Sequence, residues 1–100
     1  GTNTDYTKAA RLFFAATKQG EPRAAGQLSL MYFGGKEGIE RDFIIAYALA
    51  EYVEIKGDIE RSTRLKGLYI PFLVQSEIDQ AVALAKDSDS LWKRIETDLK

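Results

Sequence analysis

A chain of 100 residues with 45% apolar and 29% charged side chains has the make-up of one small globular domain. Fourteen basic against fifteen acidic residues leave a net charge of −1, with no block of like charge to attract nucleic acid or anionic lipid. Cysteine and histidine are both missing, which excludes disulfides and thiolate chemistry and removes the commonest general base and metal ligand.

The first predicted helix starts from Tyr6 and places Ala9, Leu12, Phe13 and Ala16 on one face. Thr4 or Asp5 is expected to cap it and Gly20 to end it. A second helix opens at Glu21-Pro22, where proline suits a first turn, buries Ala24, Leu28, Met31 and Tyr32, and stops at Gly34-Gly35. Near Asp42 a third begins, carrying Phe43, Ala46, Leu49, Ala50 and Val53 toward Gly57. The fourth, from Asp58 to Tyr69, sets Ile59, Ser62, Leu65, Leu68 and Tyr69 on one face before Pro71 breaks it. Ser76 reads as the cap of a fifth helix through Ile78, Ala81, Val82, Leu84 and Ala85. A polar turn at 87–90 then leads into a last amphipathic helix with Leu91, Trp92, Ile95 and Leu99. No segment combines period-two alternation with β-branched residues, so the fold class is all-α with about six short helices. The longest apolar run, from Phe43, ends before Glu51, far short of the roughly 20 residues a membrane helix needs.

The chain also matches itself at an offset of 37 residues. Asp5-Tyr6-Thr7-Lys8-Ala9 returns as Asp42-Phe43-Ile44-Ile45-Ala46, Leu12 as Leu49, Gly20 as Gly57 and Leu28 as Leu65. A fixed period of this size marks a repeat unit that cannot bury its apolar face without a neighbour.

The glycine cluster Gly34-Gly35-Lys36-Glu37-Gly38 fails as a phosphate cradle: a helix precedes it, Glu37 follows the lysine, and no hydroxyl stands ready for magnesium. It reads as an interhelical turn, with Gly35 and Gly38 supplying positive φ. Glu37, Glu40 and Asp42 fall short of a calcium loop. Asp42, like Asp5, has a simpler use at a helix start. Ser76 beside Glu77 and Ser62 near Lys66 lack the spacing of an activated nucleophile. The expectation is therefore a protein that is not an enzyme and uses no cofactor or metal.

Among the aromatics, Phe13, Tyr32 and Tyr69 sit on predicted core faces. Phe14, Tyr47 and Tyr52 fall off the apolar stripe and are expected at the surface, where they would meet a neighbouring repeat or a ligand. On the second helix, the face opposite the core carries Arg23, Gln27 and Leu30. The offset of 37 carries these to Glu60, Arg64 and Gly67.

Ala24, Leu28, Tyr32, Gly35, Gly38, Ile39, Asp42, Phe43, Ala46, Leu49 and Gly57 fall in order on the pattern of the Sel1-like repeat family, relatives of the tetratricopeptide repeats. Asp5, Tyr6, Ala9, Leu12, Ala16 and Gly20 resemble the second half of an earlier unit. Ser29 stands where that family usually has glycine, Leu12 and Leu49 where it often has tryptophan, Val53-Glu54 where it has two alanines, and Glu37 looks inserted. The resemblance implies an α/α solenoid of antiparallel helix pairs, with a tail or tag remnant at 1–4, repeats at 5–69 including one full unit at 21–57, and a helical cap at 70–100. It also implies an adaptor that binds a partner protein or peptide on a concave surface, without nucleic acid or membrane insertion. Contacts are expected at Arg23, Gln27, Leu30, Glu60 and Arg64, supported by Tyr47 and Tyr52. The chain would act as a monomer or as part of a longer chain, and the alternative is a purely structural end of a longer array. Cytosol and periplasm are equally compatible.

Overall fold

A computed structural model describes residues 2–36 and 38–99, with side chains described from Tyr6 onward. Glu37, read as a loop insertion, lies outside the described residues. The described chain is all-helical: α1 (Thr2–Lys18), α2 (Pro22–Gly34), α3 (Phe43–Ile55), α4 (Ile59–Tyr69), a 3-10 turn (Ile70–Phe72), α5 (Gln75–Lys86) and α6 (Ser88–Asp98).

Local chemistry sets most of these ends. Gly20 and Gly57 both take positive φ, at +90° and +99°. Around them the same two hydrogen bonds recur. Glu21 N–H donates to the Ala16 carbonyl and Gly20 N–H to that of Thr17; Asp58 N–H donates to Val53 and Gly57 N–H to Glu54. Such a bonded left-handed turn satisfies carbonyls that a helix end leaves free. The offset of 37 is therefore repeated in backbone geometry as well as in residue type.

At the other ends, the Asp42 carboxylate accepts from Ile44 and Ile45 N–H at 3.0 Å each. Asp58 accepts from Arg61 N–H at 3.1 Å. Pro22 occupies the first turn of α2. Three expected ends differ. α1 already begins at Thr2, so residues 2–4 are its first turn, and the side chains of Thr4 and Asp5, expected to cap it, lie outside those described. α5 begins at Gln75 instead of being capped by Ser76, because the Glu77 carboxylate reaches back to Val74 N–H at 3.0 Å. The polar turn at 87–90 shrinks to Asp87, which ends α5 and whose carboxylate accepts from Ser90 Oγ at 2.7 Å to start α6.

Packing then places α3 in the middle. It lies against α2, α4, α5 and α6, whereas α1 packs mainly on α2. Every residue of α3 from Ile45 to Ala50 is buried, as are Tyr52 and Val53. A helix that is apolar nearly all round needs such enclosure. α5 makes its main contact with α3 and not with α4, the helix before it. α6 then reaches α1 as well: Arg11 Nε donates to the Leu99 carbonyl at 2.8 Å, and Trp92 meets Phe14 edge-on at 5.9 Å. The radius of gyration is 12.3 Å, against about 13 Å for a compact chain of this length, and α5 and α6 share the core that α3 centres.

Burial differs from expectation at six positions. Leu12, placed in the core as the counterpart of Leu49, is 65% exposed, because α1 turns Ala10, Phe14 and Thr17 inward instead. Phe14, Tyr47 and Tyr52, expected at the surface, are all buried. Trp92 covers both Phe14 and Tyr52, and the Lys66 ammonium lies over the Tyr47 ring, 5.7 Å from its centroid. On α4, Ser62, Leu65 and Tyr69 are buried as expected, while Ile59 and Leu68 are exposed.

Ser29 has a specific use. Its hydroxyl donates to the Ala46 carbonyl at 2.6 Å and lies 2.7 Å from the Tyr69 hydroxyl. Ser29 has one proton and a carbonyl can only accept, so Tyr69 donates to Ser29. The chain of bonds ties α2, α3 and α4 together in the core. Close approach of α2 and α4 is left to Gly26, where a Cβ would sit 3.0 Å from Arg61 Cδ.

Candidate binding surface beside α2

α2 is covered on its core side and leaves a ridge of Arg23, Gln27 and Leu30 in solvent. Two grooves flank that ridge. The first runs between α1 and α2; Phe13, Ala16, Ala24 and Gln27 line one part of it and Tyr6, Ala9, Leu30 and Met31 another. Glu21, Arg23 and Arg61 stand where it meets the start of α2. The second lies between α2 and α4 and is lined by Leu30, Arg61, Arg64, Leu65 and Leu68.

The second groove combines apolar surface with positive charge. Leu30 is 39% exposed and Leu68 49%, so each leaves a large part of its side chain in water. No carboxylate lines this groove. Arg61 Nε donates to Asp58 at 2.9 Å, which fixes the guanidinium at the groove wall. The hydrogen bonds from Arg61 hold the Asp58 carboxyl below its ordinary range. Among the described residues, Arg23 and Arg64 make no ion pair.

Of the residues expected at a contact surface, Arg23, Gln27, Leu30 and Arg64 line these grooves. Glu60 is exposed but lines neither. Tyr47 and Tyr52 are corrected: both are buried core residues of α3, and Tyr52 donates its hydroxyl to the Thr17 carbonyl at 3.3 Å. Three residues of the second groove are not legible as contacts in the sequence, Arg61, Leu65 and Leu68, and Leu65, expected in the core, is indeed nearly fully buried. Leu68 had been placed on the core stripe of α4. Arg61 stands at the repeat position of Ala24, and a long cation where the other unit has a buried alanine was the available signal.

Three titratable groups with clear displacements serve the core and its edges. Burial and the neighbouring Asp98 carboxylate, which accepts from the Tyr32 hydroxyl at 3.0 Å, push the Tyr32 phenol well above its ordinary value. Burial raises Tyr69 to about 12. For Lys66 burial acts downward, but the carboxylates of Glu51 and Glu54 outweigh it and hold the ammonium above the usual lysine value. These three lie outside the grooves, whereas Tyr6, which lines the first groove, is raised by burial. Among the described residues no group of acids could hold a metal ion, and no helix is long and apolar enough to cross a membrane.

The chain matches no family model, and no curated protein or solved structure shows significant similarity to it.

Proposed function

We propose that this chain is a protein-binding adaptor of the Sel1-like repeat kind, performing no chemistry of its own. In this reading α2 and α3 form one antiparallel pair of a short α/α solenoid, α1 is the second half of the unit before and α4 opens the unit after. The hairpin of α5 and α6 is the cap, and the partner lies along the concave side made by α2 and α4. Two features support the repeat part: the offset of 37 in the sequence and the matching turns at Gly20 and Gly57. One observation carries the binding part. Leu30 and Leu68 remain exposed beside Arg61 and Arg64 in a groove that the core does not use. Exposed leucines next to Arg64, which makes no ion pair among the described residues, and Arg61, which keeps guanidinium N–H groups free beyond its bond to Asp58, are the composition of a contact surface more than of an idle helix face.

Selection from a displayed library of random ten-residue peptides tests this, followed by calorimetry with the intact chain and with Leu30→Asp and Arg64→Glu. Enriched peptides should bind the intact chain and lose most of their affinity to either variant. No enrichment, or binding that survives both substitutions, would reject the reading.

A second reading, a structural end of a longer array, is favoured by the exposed side chains around α4. Ile55 and Ile59 flank its start, and Ile70, Phe72 and Val74 follow its end. Further helices stacked there would cover them. Binding that is insensitive at Leu30 but abolished by Phe72→Ser would move the account to this reading.

A further inference from the structure

We infer that the groove between α2 and α4 takes a carboxylate-bearing, leucine-type stretch of a partner chain. This rests on the protein-binding reading and names its ligand class. The argument is one of complementarity. Three leucines form the floor and rim, and two arginines stand among them with no carboxylate in the lining. Leu30 and Leu68 offer surface that gains by being covered with an apolar side chain. Arg64 makes no ion pair among the described residues, and Arg61 engages Asp58 only through Nε. The remaining guanidinium N–H groups of both are suited to carboxylate oxygens, which they can hold in bidentate fashion.

Arg61 also lines the first groove, where it joins Arg23 and the single carboxylate of Glu21, so arginines outnumber acids there as well. The chain as a whole carries −1, whereas Arg23, Arg61 and Arg64 on this face are set against only Glu21 and the Asp58 that holds Arg61. Gln27 on the ridge between the grooves offers both a donor and an acceptor for a main chain lying across it. Nucleic acid is the poorer fit: the groove holds no aromatic ring on which a base could stack.

The test uses three fluorescein-labelled octapeptides and the full chain. The first is Ser-Glu-Asp-Leu-Glu-Asp-Leu-Ser, the second replaces its acids with Gln and Asn, and the third replaces them with Lys. By anisotropy the acidic peptide should bind, the neutral one at least about tenfold more weakly, and the lysine peptide not at all. Raising salt from about 50 to about 200 mM should weaken the acidic peptide and spare the neutral one. Arg64→Glu should cost the acidic peptide about tenfold or more and admit the lysine peptide. Leu68→Ser should weaken the acidic and neutral peptides alike, and Phe72→Ser should change nothing. Equal binding of the acidic and neutral peptides would overturn the inference, as would indifference to Arg64→Glu, failure of all three peptides, or a single-stranded oligonucleotide that displaces the acidic peptide at equal concentration. Should a library-selected peptide of other composition still bind and respond to Leu30→Asp, only the ligand class is wrong. If none does, the protein-binding reading fails with it.

Discussion

α1 and α3 match each other in sequence at an offset of 37 residues, yet they live in different surroundings. Leu49 is fully buried, and Leu12 at the matching position stands 65% exposed. The residue type is identical, so the difference comes from the neighbours. α3 is enclosed by α2, α4, α5 and α6, and its residues from Ile45 to Ala50, with Tyr52 and Val53, are buried on every side. α1 has α2 along one side and α6 at one edge, and it turns Phe14 and Thr17 inward where α3 carries Glu51 and Glu54. Place among the helices decides burial, and residue type alone does not.

Substitution at the two leucines should break this comparison most visibly. Leu49→Ala removes a fully packed side chain and should cost about 2–5 kcal/mol in chemical denaturation. Leu12→Ala should cost no more than about 0.5 kcal/mol. Equal losses would mean that α1 and α3 share one register after all.

The turns give the next largest effect. Gly35 has φ +61°, and a Cβ there would lie 2.6 Å from Arg41 Cβ. Gly57 has φ +99° with nothing within 4 Å. Gly35→Ala should therefore cost about 2–3 kcal/mol, strain and collision together, and Gly57→Ala about 1–2 kcal/mol from strain alone. A reversed order would contradict the close contact at Arg41.

Smaller still is the buried hydroxyl chain. Tyr69→Phe removes the proton that Tyr69 donates to Ser29 and leaves the bond from Ser29 to Ala46 in place. The expected loss is about 1 kcal/mol, since a buried acceptor loses its donor but keeps its own bond. Ser29→Gly, the residue that the family resemblance expects, should cost more because both bonds go.

The last and smallest effect is alkaline. The folded values of Lys66, Tyr32 and Tyr69 are all raised. A raised value means that the folded chain holds its proton longer, so stability is full below the ordinary values of 10.0 for tyrosine and 10.5 for lysine. It declines as pH climbs through the folded values, which for Tyr69 reach about 12. Denaturation midpoints measured upward from pH 10 should fall, and Lys66→Met should show a shallower fall. A flat profile would contradict the burial of these groups.

Much of the fold was legible because its determinants are local. Asp42, Pro22, Gly20, Gly35 and Gly57 set helix ends by capping and positive φ, and they act within four residues of themselves. The errors arose where distant elements decide. Nothing near Tyr52 in sequence announces that Trp92 will cover it, 40 residues on. The unbroken apolar run of α3 was the available hint, since a helix without a polar face must be enclosed. The groove was half legible for the same reason. Arg23, Gln27 and Leu30 follow from one helix face, whereas Arg61 and Leu68 join them only because α4 packs against α2.

Nuclear magnetic resonance of the ¹⁵N-labelled chain, titrated with the acidic leucine octapeptide, tests the central claim most directly. The account predicts that amide shifts move at Arg23, Gln27, Leu30, Arg61, Arg64 and Leu68 and stay fixed at Ile59, Ile70, Phe72 and Val74. Shifts gathered around that second group, or none at all, would contradict it.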